Sequence, residues 1–142
     1  MSSGIEVRFR DEHGREPEVL KTADEVDAFV DALLNEPHDR NCALIFALDR
    51  PLLPSGFFDH ELAVGVDRTT QTGVATLRME DDNLASRGSV DRGIVEYMLM
   101  GHAREFMPGS EIPIADIRLL VKEFLSDGSR RPARIAWQEE QF

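Results

Sequence analysis

Apolar side chains recur along this 142-residue chain with two periods, and the switches between them mark out the elements. The clearest helical stretch lies near the C-terminus. Ile114, Ile117, Leu120, Val121, Phe124 and Leu125 fall at spacings of three, four and seven, on one face of an α-helix, with Arg118, Lys122 and Glu123 on the other. Pro113 suits the helix start, where its missing N–H costs nothing and its fixed φ is already helical. Asp127-Gly128 predicts the stop, with Gly128 in the left-handed C′ conformation. Beyond the Ser129-Arg130-Arg131-Pro132 turn, residues 134–138 alternate as a strand, with Ile135 and Trp137 pointing inward onto the helix.

The first half reads in the same way. Ile5, Val7 and Phe9 alternate with charged residues as a half-buried strand; His13-Gly14 supplies a turn, and Val19-Leu20 starts a return strand. Thr22 and Glu25 fit a capping box ahead of Val26, Phe29, Val30, Leu33 and Leu34 at helical spacing. Residues 43–48 form a continuous apolar run, short enough for a buried strand, and the Pro- and Gly-rich break after it carries Phe57-Phe58, expected to pack onto the sheet. Leu62, Val64 and Val66, then residues 74–79, predict a hairpin across the polar stretch 67–73. Glu80-Asp81-Asp82-Asn83 is a second acidic turn, Ser86-Arg87-Gly88 an edge, and residues 94–100 a further strand.

Two helices among so many hairpin-linked strands leave too few crossovers for a parallel sheet. The pattern predicts an α+β fold in one domain over residues 1–142: a mostly antiparallel sheet of about five to seven strands with two main helices packed on it.

Charge changes the picture more than composition does. The chain is 42% hydrophobic and 30% charged, ordinary for a globular domain, yet 27 acidic residues against 16 basic ones leave a formal net charge of −11. A field of that sign disfavours direct contact with nucleic acid or anionic membrane and draws basic partners. The single cysteine, Cys42, excludes an intrachain disulfide and reads as a buried structural thiol. The N-terminal residues lack a basic region followed by an apolar segment, which leads to the expectation of a cytoplasmic protein.

Catalytic signatures are missing from the sequence. One cysteine and no His-x-Glu cannot assemble a deaminase zinc site; no nucleophile elbow, zincin helix, phosphate loop or dinucleotide fingerprint occurs. Asp59-His60-Glu61 has metal-ligand residue types, but neighbours on an extended strand face opposite ways, so a solvated loop is the expectation. His13 and His38 lie in turns, and His102 after Gly101 reads as a turn residue hydrogen-bonded to backbone in preference to a partner contact. No catalytic residue, metal or cofactor is assigned.

Glu123-Phe124, Gly128, Arg131-Pro132, Ile135 and Trp137, preceded by Ile112-Pro113, resemble the C-terminal signature of the first-numbered immunity-protein family of bacterial polymorphic toxin systems. Residues 22–34 and 62–67, with Tyr97, Gly101-His102 and Glu105-Phe106, extend the resemblance more weakly over most of the chain. It implies a small α+β protein that neutralises a co-encoded toxin, often a nucleic-acid deaminase, with Phe124, Gly128, Arg131, Pro132 and Trp137 as scaffold. The implied partner is a toxin with a basic active-site surface, which carboxylates would approach as phosphate mimics. Glu80, Asp81 and Asp82 at a hairpin tip, Asp24, Asp27 and Asp31 on the outer part of the first helix, and Glu139-Glu140 at the tail are the candidate carboxylates. Phe57-Phe58, Met98 and Met100 are candidate apolar anchors. The alternative is a non-catalytic adaptor or chaperone for a secreted effector.

Overall fold

The computed structural model describes residues 4–14, 16–37, 40–80, 82–128 and 130–141. Asp81, His38 and Ser129 lie outside them. Strands β1 (Ile5–Arg8), β2 (Glu18–Leu20), β3 (Cys42–Ala47), β4 (Glu61–Asp67), β5 (Thr72–Arg78), β6 (Asn83–Ser86) and β10 (Trp137–Glu139) form an antiparallel sheet in the order β10-β6-β5-β4-β3-β1-β2. A two-residue strand, β9 (Ile112–Pro113), pairs with the start of β5 and makes eight strands in all, above the five to seven expected. Helices α1 (Ala23–Asn35) and α2 (Ile114–Ser126) pack together on one face.

Local chemistry accounts for the helix ends. The Thr22 hydroxyl accepts from the Glu25 amide at 3.1 Å, and the Glu25 carboxylate accepts from the Thr22 amide at 3.1 Å, so the capping box is formed. At the other end of the chain the reason for Gly128 differs from expectation. Its φ is not left-handed; instead a β-carbon there would sit 2.4 Å from the Ala47 Cβ, so glycine is required by close approach to β3.

The main core lies between the helices and the sheet. Val26, Phe29, Val30 and Leu33 of α1 and the six apolar α2 residues meet Ile5, Val7, Ile45, Leu62, Val64 and Leu77. Each large side chain so buried contributes about 1.5–3 kcal/mol.

β4 and β5 are buried on both faces, which a single helix layer cannot explain. The cover on the second face is a separate hairpin, β7 (Val95–Leu99) and β8 (His102–Phe106), forming its own two-stranded sheet. Met100 and Gly101, both at positive φ, make its two-residue turn. Tyr97 and Phe106 pack there with Cys42 and Val74 as a second core, and burial pushes the Cys42 thiol up to about 12. Gly65 makes room: a β-carbon on it would meet the Tyr97 ring at 2.5 Å.

Two strand expectations shift. Ser86 belongs to β6, an inner strand paired with both β5 and β10, not to an edge. The last strand begins at Trp137 because Glu123 captures the chain before it, accepting from the amides of Ala133 at 2.6 Å and Arg134 at 3.2 Å. Ile135 and Trp137 still pack against the main core.

A cleft beside an acidic face

The candidate site is a cleft of about 640 Å³ at the end of β3, β4 and β5, lined by Arg8, Phe46, Phe57, Phe58, Arg78 and Glu80 among others. Its floor is aromatic. Phe58 stacks on Phe46 with ring centroids 4.5 Å apart, and the Arg8 guanidinium lies 5.4 Å from the Phe46 centroid. Phe57, next in the chain, turns away from the sheet and is 73% exposed, so the aromatic pair divides between floor and rim.

His60 lies beneath this floor. Asp59-His60-Glu61 is not a solvated loop: His60 is buried, its Nε2 accepts the Ala47 amide at 2.8 Å, and its Nδ1 lies 2.8 Å from Asp59 Oδ1. The acceptor role at Nε2 places the proton on Nδ1, so the ring is neutral. Burial lowers the His60 pKa against the pull of Asp59. Arg50 clamps Asp59 through both carboxylate oxygens, at 2.9 and 2.7 Å, and holds its carboxyl well below the usual range. Polarity in this triplet serves to fix the cleft, and among the described residues no three of His, Cys, Asp or Glu gather as a metal site needs.

Two of the signature residues, Phe124 and Gly128, lie beneath the cleft. Phe124 is buried with its ring 5.8 Å from His60, and Gly128 brings the end of α2 against Ala47, whose amide holds His60. The Trp137 indole donates to the Pro132 carbonyl at 2.8 Å, closing the turn in which Pro132 is buried and Arg131 exposed. Phe124, Gly128, Pro132 and Trp137 thus make packing or turn contacts, while Arg131 faces solvent.

The structure separates the candidate carboxylates. Asp27 meets Arg118 at 3.1 Å and Lys122 at 2.8 Å, and Asp31 meets Arg118 at 2.5 Å, so α1 and α2 neutralise each other; the bond from Lys122, followed by that from Arg118, holds the Asp27 pKa down. Glu140 is buried, with Oε1 on Arg78 at 2.9 Å, and is a strut between β10 and β5 rather than part of an open tail. Asp24, Glu139, Glu80 and Asp82 are exposed, and Glu80 alone of these lines the cleft.

Sequence reasoning missed two groups. Glu111 anchors the hairpin: its carboxylate accepts from Arg92 at 2.6 and 2.7 Å and from the Tyr97 hydroxyl at 2.7 Å. The Arg92 bonds hold the Glu111 pKa down, while burial and the bond to Glu111 raise that of Tyr97. Glu96 and Glu105 stand directly opposite each other on the outer face of β7 and β8. Met100-Gly101 between two five-residue stretches was the available signal for this hairpin, since glycine at the second turn position favours the two-residue connection. The residues of β8, His102-Ala103-Arg104-Glu105-Phe106, hid it by lacking apolar alternation.

Together these features define a class: a small α+β protein with two helices on one face of an antiparallel sheet and an aromatic-floored cleft at the sheet's end. The chain belongs to the Immunity protein Imm1 family, whose family model matches residues 14–139. It is therefore an immunity protein, and its implied partner is a cognate toxin. No curated protein matches the chain.

Proposed function

We infer that this protein acts in the cytoplasm as antidote to a toxin encoded beside it, a nucleic-acid-targeting deaminase or nuclease, and that it works by covering the toxin's active site without catalysis. Family membership over residues 14–139 is the observation that carries this reading. Physical chemistry supports the finer part. An enzyme acting on nucleic acid needs a basic channel, and a chain of net charge −11 is drawn to one quickly through long-range attraction. A frame buried on both faces of its central strands can present a fixed surface with little ordering cost.

The test is co-expression with the product of the neighbouring gene in a toxin-sensitive host, followed by co-purification. Rescue with a stable complex is expected, and inhibition should be competitive with nucleic-acid substrate. Rescue without competition would overturn active-site occlusion, binding without rescue would favour an adaptor for a secreted effector, and neither binding nor rescue would overturn the reading.

A further inference from the structure

Exposed apolar surface and unneutralised negative charge meet around the cleft. Phe57 is held out by structure: the Leu53 amide donates to the Phe57 carbonyl at 2.8 Å, the Gly56 amide donates to the Leu53 carbonyl at 2.8 Å, and Gly56 takes φ +87° to close the turn. Leu52 and Leu53 beside it are 55% and 46% exposed. With Phe58 stacked on Phe46 behind it, the tip is a rigid apolar projection, and its exposure adds nothing to folding.

The cations of this face are already neutralised. Arg8 pairs with Glu6, Arg50 with Asp59, Arg78 with Glu140, and Arg104 with Glu61. The acids are in surplus. Glu80 on the cleft rim meets no cation among the described residues, and neither do Glu96 and Glu105. Glu105 lines a second depression with Arg78, which also lines the cleft, so the two surfaces are continuous. Like charges directly opposite across a strand pair oppose folding, and a cation placed between them relieves that repulsion. On the helix side the charges near the last turn answer one another, Arg130 with Asp127 and Arg134 with Glu123, so no comparable surplus of acid is presented there.

We propose that this face is the toxin-docking surface, with Phe57 inserting into an apolar hollow of the toxin and Glu80, Glu96 and Glu105 receiving lysine or arginine side chains from the rim of its nucleic-acid channel. The assignment rests on the toxin reading above. Phe57 supplies most of the affinity and the three glutamates supply speed of encounter.

The experiment uses the purified product of the adjacent gene, the full chain and three variants. Phe57→Asp is expected to weaken the complex by at least about 30-fold, the loss typical of a central anchor. Its thermal midpoint should stay that of the wild type, since the side chain touches water. Glu80→Lys with Glu105→Lys should slow association by about 10-fold at low salt and flatten its salt dependence. Leu119→Asp on the outer face of α2 should change neither. Hydrogen exchange on the wild-type complex should show protection in residues 52–58 and 95–105. A wild-type complex that Phe57→Asp leaves equally tight, or protection confined to α1 and α2, would overturn the assignment while the toxin reading stands. A wild type that forms no complex would overturn both.

Discussion

On the helix side of the central sheet, Asp27 and Asp31 of α1 are held by Arg118 and Lys122 of α2 at 2.5–3.1 Å, whereas on the opposite side Glu80, Glu96 and Glu105 meet no cation among the described residues. Both groups look alike as sequence: acidic side chains on the polar face of an element. Tertiary packing distinguishes them. Two helices laid side by side bring their charged flanks within reach, so each can answer the other. A hairpin laid over the sheet turns its outer face to water, and whatever charge it carries there stays uncompensated. Net charge sets the long-range attraction, but it does not say which face presents unpaired carboxylates to a partner.

The second difference concerns how each cover is attached. The helices are held by a large apolar core, while the hairpin has a small one and leans on the polar anchor at Glu111. Glu111→Ala should accordingly have the largest effect, about 2–4 kcal/mol, because it strands the Tyr97 hydroxyl in the second core and releases Arg92. Denaturant unfolding measures the loss. Hydrogen exchange should quicken in β7 and β8 and leave α1 and α2 protected; uniform quickening would erase the distinction between the two covers.

Gly128→Ala comes next, at about 1–3 kcal/mol from overpacking against Ala47. Because φ at Gly128 is not left-handed, adding Ala47→Gly should restore much of the stability. Failure of that rescue in thermal melts would point back to a backbone requirement at Gly128.

Acid should act through both sides. A group whose folded pKa is depressed contributes stability that is present above its unfolded pKa and lost as pH falls through the folded value. For His60, whose ordinary value is 6.5, the loss begins below that pH, since a second ring proton would face the Ala47 amide. Glu111 adds its own loss below its ordinary 4.5, and Asp59 below its ordinary 3.8. Unfolding free energy measured from pH 8 to 2 should fall in that order, and His60→Gln should remove the first part of the decline.

Arg118→Ala should have the smallest effect, about 0–1 kcal/mol and less at high salt, as expected for partly exposed ion pairs. It sharpens the comparison from the other direction. By freeing Asp31 and leaving Asp27 to Lys122 it should make the helix side more negative, and faster association of this variant with the toxin would show that the helix side also contributes to steering.

Much of the fold was legible. Capping at Thr22 and Glu25, the apolar stripe from Ile114 to Leu125 and the alternation around Leu62 and Leu77 are local patterns with periods of their own, and all took the expected form. The site was less so. His60 and Asp59 looked solvated because their partners, Ala47 and Arg50, come from other parts of the chain. Glu140 looked like tail and became a strut for the same reason.

Sequence alone determined the two helices, the antiparallel hairpins, the α+β class, the excess of acid and the resemblance to an immunity family, since each depends on residue type and on spacing between near neighbours. Tertiary structure decided which face of the sheet the Tyr97 hairpin covers, why Gly128 must be glycine, that Phe57 stands out while Phe58 lies flat, and which carboxylates remain open. Those outcomes depend on contacts between residues far apart in the chain, and burial, pairing and free charge exist only once such residues meet.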